Sequence, residues 1–281
     1  MDAEFLKNTD NTMLLKQDKD KIRLYAGKFW RNLRDYASIW LFFIFWEAGT
    51  RLGLLDRNFI SPPTVIFKTI FSLFSDGVMF EHIAYSLWRA ANGFLAAVAV
   101  GVPLGMALGG WFKLFERVLK PVLNFLHAAN PFSLHPVFIM LFGIGELSKA
   151  AMIFWVCIWP VLLNTITGVQ CVDPLYIKAA RSMGVSKFSM FCRVLLPGAL
   201  PGIFHGIKSS GGAAFFLLVA AEMIGASSGL GWLVWNAQTN YQIPNLYAAT
   251  VCIAVLGLLL NYLFSYIEKR VVAWKPADPE Y

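Results

Sequence analysis

From about residue 36 onward, long apolar blocks alternate with short polar runs, and each block is long enough to cross a bilayer as a helix. Six crossings are predicted: about Tyr36 to Gly53, Leu87 to Gly109, Pro121 to Phe142, Ala150 to Val169, Leu200 to Ala221 and Leu246 to Tyr266. Between the first two, the stretch FISPPTVIFKTIFSLFSDG is too short and too interrupted to span. Its Val65, Ile66, Ile70, Phe71 and Phe74 predict a helix lying in the outer interface. The second block carries Gly101, Gly105 and Gly109 at four-residue spacing, a stripe on which another helix can pack closely, with a bend at Pro103. Gly206, Ser209, Ser210, Gly211, Gly212, Ala213 and Ala214 make the fifth block equally rich in small residues.

The longest polar interruption with helical signals at both ends is DPLYIKAARSMGVSKFSMFCRVLLPGALP, from Asp173 to Pro201. Asp173 followed by Pro174 predicts an N-cap and a first helical position, because Asp accepts from free backbone N–H groups and Pro has none to lose. This helix is expected to stop at Gly184, and Ser186 is expected to cap a second one that lasts until Pro197 opens the next segment.

Composition sharpens this picture. At 281 residues, 57% hydrophobic and 15% charged, the chain is too apolar for a soluble domain and reads as an all-α integral membrane protein. The net charge of +7 sits mainly in short loops and the N-terminal segment, so it marks the cytoplasmic side and not a nucleic-acid surface. Residues 1–35 are expected to be a cytoplasmic segment, 36–270 the membrane domain and 271–281 a cytoplasmic tail, with both termini inside. The stretch from Gly229 to Asn245 contains no Lys or Arg, as an external loop should. The first residues lack the apolar core of a cleavable signal. Cys157, Cys171, Cys192 and Cys252 are scattered, without CxxC or a histidine cluster, so neither disulfides nor zinc are expected. No GxxxxGK[ST], HExxH or nucleophile elbow occurs, which excludes an ATPase or a hydrolase in this chain.

Within the polar segment, Lys178-Ala179-Ala180, then three residues, Gly184, nine residues and Val194-Leu195-Leu196-Pro197 resemble the EAA loop of ABC-importer permeases. Lys178 stands where that family usually has Glu, and Val194 where it has Ile. The passages SLWRAANGFLAAVAVGVPLGMALG and VAAEMIGASSGLGWLVWNA are similar to permeases for nitrate, taurine and alkanesulfonates. The resemblance covers about residues 59 to 274. It implies a type I importer permease fold in which the loop 173–197 couples to a cytoplasmic ATPase through Lys178, Ala179, Ala180, Gly184, Val194, Leu196 and Pro197. It further implies two permease copies, two ATPase subunits that hold ATP and Mg, and a periplasmic or lipid-anchored binding protein, in a bacterial inner membrane. This chain would bind no cofactor itself. The family's common cargo is a small anion such as a sulfonate, taurine, nitrate or bicarbonate.

The third block departs from these relatives, with Asn124, His127, Asn130, Ser133 and His135 between Pro131 and Pro136 or beside them. Such groups must face protein or water in a bilayer. Either His127, Asn130, Ser133 and His135 line the translocation path, or they bond to backbone at the proline kinks. Glu222 reads as a gate or partner contact, or as a carboxylate bonding a neighbouring turn. Arg89, on the outer side, is expected to snorkel or to meet Glu81. A proton-coupled carrier using His127 and His135 is the rival function, against which stand the missing intramembrane carboxylate relay and the missing internal repeat.

Overall fold

The computed structural model describes residues 37, 38, 40–56, 59–110 and 112–272. The expected N-terminal cytoplasmic segment, and all but the start of the expected tail, lie outside the described residues. Among the described residues every regular element is helical. Their contacts divide into two units, residues 1–67 and 68–281.

In the first unit, α1 (residues 40–51) ends in an ion pair between Glu47 and Arg51, one turn apart, with Nε 2.6 Å from Oε1. Glu47 also accepts from the backbone N–H of Thr64 at 3.1 Å and from its hydroxyl at 2.8 Å. It thereby caps α2 (Pro63–Ser75), whose first position is a proline.

The second unit is built on α6 (Glu146–Gln170), the most buried of the long helices, which packs against α3 (Val78–Gly110) and α9 (Leu196–Met223). Small residues make both contacts possible. A Cβ on Gly105 would lie 2.6 Å from Cβ of Thr165, and one on Gly202 would lie 2.6 Å from Cα of Gly168. The Gly101, Gly105 and Gly109 stripe therefore faces α6, as its spacing predicts. Against α9 lies α11 (Ile243–Val271), and α10 (Leu230–Thr239) joins the two.

Among the described residues, four stretches are long and apolar enough to cross a membrane: Val78–Gly110, Glu146–Gln170, Lys187–Met223 and Ile243–Val271. A fifth arises if α4 (Lys113–Ala128) and α5 (Pro131–Phe142) count as one broken span.

Three local expectations change. The third block is not a single kinked crossing, because α4 and α5 meet at 90°. Ala129 and Asn130 are extended, the conformation favoured before proline, and the Asn130 side chain accepts from Phe132 N at 2.9 Å to start a new helix. The second block begins nine residues earlier than its hydropathy suggests, because its outer polar residues find buried partners and the helix continues through them. Pro197 does not open a separate segment. The chain runs helically from α8 (Lys187–Met190) through a π-turn at Phe191–Leu195 into α9, and Leu196 N bonds back to Phe191 O. The wider turn makes room for a residue that brings no N–H and would crowd the preceding turn.

Candidate functional site

Between α6 and α8, the helix α7 (Pro174–Ser182) begins as predicted, with Asp173 accepting from Leu175 N at 2.8 Å. It ends at Gly184, whose φ is +70°. Val185 N reaches back to Ala180 O at 3.2 Å and Gly184 N to Arg181 O at 3.0 Å, which satisfies the last carbonyls. Ser186 then accepts from Ser189 N at 3.3 Å and caps α8.

The segment is anchored from beneath. Ile177, Phe191, Leu195 and Leu196 pack on a buried cluster of Met106, Val169, Val172, Ala199 and Ile203, which joins the ends of α3, α6 and α9. Its outward side carries Leu175, Tyr176, Met183 and Phe188, each between 65% and 76% exposed. Ala179, Ala180, Val194 and Pro197 come together along one shallow groove of about 370 Å³. Lys178 is exposed, and Gly184 forms the bend between the two helices. The segment thus offers an apolar surface, flanked by the cations Lys178, Arg181 and Lys187, on a base fixed to three long helices.

A second polar site lies where α3, α6, α9 and α10 meet. Arg89 is only 4% exposed and uses all five of its N–H donors. Nε and Nη2 form a fork on Glu146 at 2.5 and 2.8 Å, and Nη1 reaches Glu222 at 2.9 Å. The remaining donors go to the carbonyl and hydroxyl of Ser228. Glu222 is fully buried and also accepts from the Ser86 hydroxyl and from Gly231 N at 3.0 Å. Lys149 completes the group by donating to Glu146 at 3.3 Å.

The same cluster starts α10. Gly229 N donates to His82 Nδ1, Leu230 N to Ser86 Oγ and Gly231 N to Glu222, so three orphan N–H groups of that helix end on side chains of α3 and α9. No side chain fits at Gly229, where a Cβ would collide with the Glu222 carboxylate. A lone buried carboxylate costs several kcal/mol, whereas this one is bonded on both oxygens.

Glu222 thus bonds a neighbouring turn through Gly231 N. Arg89 neither snorkels nor pairs with Glu81, because Glu146 and Glu222 hold it instead. Glu146, Lys149, His82, Ser86 and Ser228 were not singled out from sequence. The signal was present in His82, Ser86 and Arg89, which recur on one face of α3, and in Glu146 and Lys149, one turn apart on α6.

The polar residues of the broken pair differ in burial. His127, Asn130 and Ser133 are exposed, whereas His135 is buried at 2% exposure. Among the described residues no group of His, Cys, Asp or Glu has the makings of a metal site, and all four cysteines are free thiols.

The fold and these sites define a polytopic helical membrane subunit that carries a capped, exposed helix pair between the long helices α6 and α9. The chain belongs to the family of binding-protein-dependent transport system inner membrane components, whose profile matches residues 101–273. It is 33% identical to the putative aliphatic sulfonates transport permease protein SsuC of Bacillus subtilis, over 82% of this chain and 83% of that one. It is 31% identical to the taurine transport system permease protein TauC of Escherichia coli, over 82% and 85%. With the nitrate import permease protein NrtB of Leptolyngbya laminosa the identity is 34%, over 70% and 71%. The fold is shared with the MetNI methionine ABC transporter in an inward-facing conformation, at a TM-score of 0.57 and 20% identity, over 72% of this chain and 98% of that one. An amino acid ABC transporter gives a TM-score of 0.58 at 17% identity, over 71% and 96%. These relatives are permease subunits of ABC transporters, not enzymes in their own right.

Proposed function

We propose that this chain forms the translocation path of an ATP-driven importer for a small anion, a sulfonate, taurine, nitrate or bicarbonate. Six crossings place both termini in the cytoplasm. Two copies pair in the membrane, two ATPase subunits bind the segment 173–197 from below, and a binding protein delivers cargo from outside. ATP and Mg act in the ATPase subunits, and the capped helix pair transmits their movement to α6 and α9.

The observation that carries this reading is the exposed apolar side of α7 and α8 on a base buried among the ends of three long helices. A surface of this kind has area left to bury on a partner, and its anchoring passes displacement on to the spans. The names of the sulfonate, taurine and nitrate relatives support an anionic cargo.

The test is Gly184→Val in the complex with its ATPase, reconstituted into vesicles. A branched residue at φ +70° costs about 1–3 kcal/mol of backbone strain, and the strain falls on the bend between the two helices. Membrane insertion and yield are expected to be unchanged while ATP-dependent uptake is lost. Uptake that persists in the variant, or that runs on a pH gradient without ATP, contradicts the coupling reading.

A further inference from the structure

The sequence singled out the small residues of α9 without separating the face packed on α6 from the face turned away from it. His205, Ser209, Ala213 and Phe216 follow one another on the exposed side of α9 at three- and four-residue steps. Together with α11 this face forms an open cleft of about 640 Å³, lined by His205, Lys208, Ser209, Phe216, Leu258 and Asn261 among others. That size falls within the roughly 300–1,000 Å³ of small-molecule sites.

Three of these polar side chains, His205, Ser209 and Asn261, make no hydrogen bond among the described residues. Two long apolar helices carry them, and hydrocarbon offers such groups nothing to bond to. The cleft therefore holds water or a polar guest. Its electrostatics select the sign of that guest. Lys208 lines the cleft, whereas Glu268, its partner at 2.8 Å, does not. The ammonium keeps donors beyond the one it gives to Glu268, so the member of the pair that lines the cleft can still donate to a guest.

We propose that the α9–α11 cleft is an anion station on the translocation path. The oxygens of a small organic oxyanion are held by Lys208, His205, Ser209 and Asn261, and its carbon chain lies against Phe216 and Leu258. This rests on the importer reading above and assigns its cargo site. The permanent counter-charge of Glu268 keeps binding weak, as conduction requires: an ion must enter and also leave.

The probe is a thiol introduced by Ser209→Cys in the full chain, with Cys157, Cys171, Cys192 and Cys252 changed to Ala, in right-side-out and inverted membrane vesicles. Its reaction rate is compared for 2-sulfonatoethyl methanethiosulfonate and for the cationic trimethylammonium reagent of similar size. The sulfonate reagent is expected to react a few-fold faster, since Lys208 is the nearer charge to the thiol and Glu268 offsets part of its field. The ratio should fall to one or below in Lys208→Gln, which leaves the Glu268 carboxylate unpaired, and be kept in Lys208→Arg, which also shows that the fold survives substitution there. Excess nitrate should slow the sulfonate reagent only where the cation is present. Equal rates for both reagents, a ratio indifferent to Lys208→Gln, or a thiol inert from both sides overturns the proposal. ATP-driven uptake is measured separately. Charge-selective labelling without such uptake would sink the importer reading and leave the anion cleft standing. Taurine or nitrate uptake with an unchanged KM in Lys208→Gln would sink the cleft and leave the importer standing.

Discussion

Helix α9 carries two ion pairs, and they are built on opposite principles. Near its end Glu222 is fully buried, with Arg89 only 4% exposed, and every donor of that guanidinium has a fixed acceptor. Roughly four turns earlier, Lys208 and Glu268 stand about one-third and one-quarter exposed beside polar groups that have no partner among the described residues. A cluster whose central pair is buried and saturated has no bond left for a guest and loses several kcal/mol if Arg89 or Glu222 leaves, so it fixes the helices it joins. An unsaturated cleft has bonds left over, and it belongs to the part of the molecule that exchanges partners. One helix thus runs from a rigid joint to a working surface, and from there through the π-turn to the exposed pair α7 and α8.

The strongest way to break this contrast is Arg89→Met, which strands Glu222 without its counter-charge. A loss of about 3–5 kcal/mol is expected, enough to abolish recovery of folded protein from membranes, measured as detergent-extracted monodisperse yield. Adding Glu222→Gln should restore much of that yield, because the uncompensated charge is then gone. Recovery of the single variant at wild-type level would show that the outer cluster is not a joint. His82→Ala removes one acceptor and leaves the buried Gly229 N–H unpaired, at an expected cost of about 1–3 kcal/mol seen as a lower melting temperature with the transport rate per folded molecule unchanged. The smallest effect is expected from Glu268→Gln, which frees the Lys208 charge. Nitrate or taurine should bind a few-fold more tightly and turn over a few-fold more slowly in reconstituted vesicles, with stability nearly unchanged because a half-exposed pair contributes only about 0–1 kcal/mol.

Local backbone signals were the most legible part of the sequence. The Asp173 and Ser186 caps, the turn at Gly184 and the glycine stripe of α3 depend on neighbours a few residues away or on a simple period, and the structure has each where the chain spells it. The partners of Arg89 were not legible, since Glu146 and Glu222 lie 57 and 133 residues away and only the packing of α3, α6 and α9 brings them together. Polar residues at the start of α3, His82 and Ser86 among them, made the predicted crossing begin only at Leu87, because hydropathy cannot tell a polar group bonded inside from one in water. Prolines misled in both directions. Pro131 follows an asparagine able to cap and turns the chain through 90°, whereas Pro197 is carried through by a π-turn that no local pattern announces. Small residues on α9 were visible as a group, but only the third dimension separates Gly206, pressed on Pro160 O of α6, from Gly212, which faces open space.

The division of α9 into a fixed end and a working end is tested most directly by hydrogen exchange of the whole transporter, permease with its ATPase subunits, with and without ATP. The backbone amides of Gly229, Leu230 and Gly231 should stay equally protected in both states, while peptides covering Lys208 to Phe216 and the segment Pro174 to Met190 change on ATP addition. Deprotection of the Gly229–Gly231 amides on ATP addition, with the cleft and the helix pair unaltered, would contradict the account.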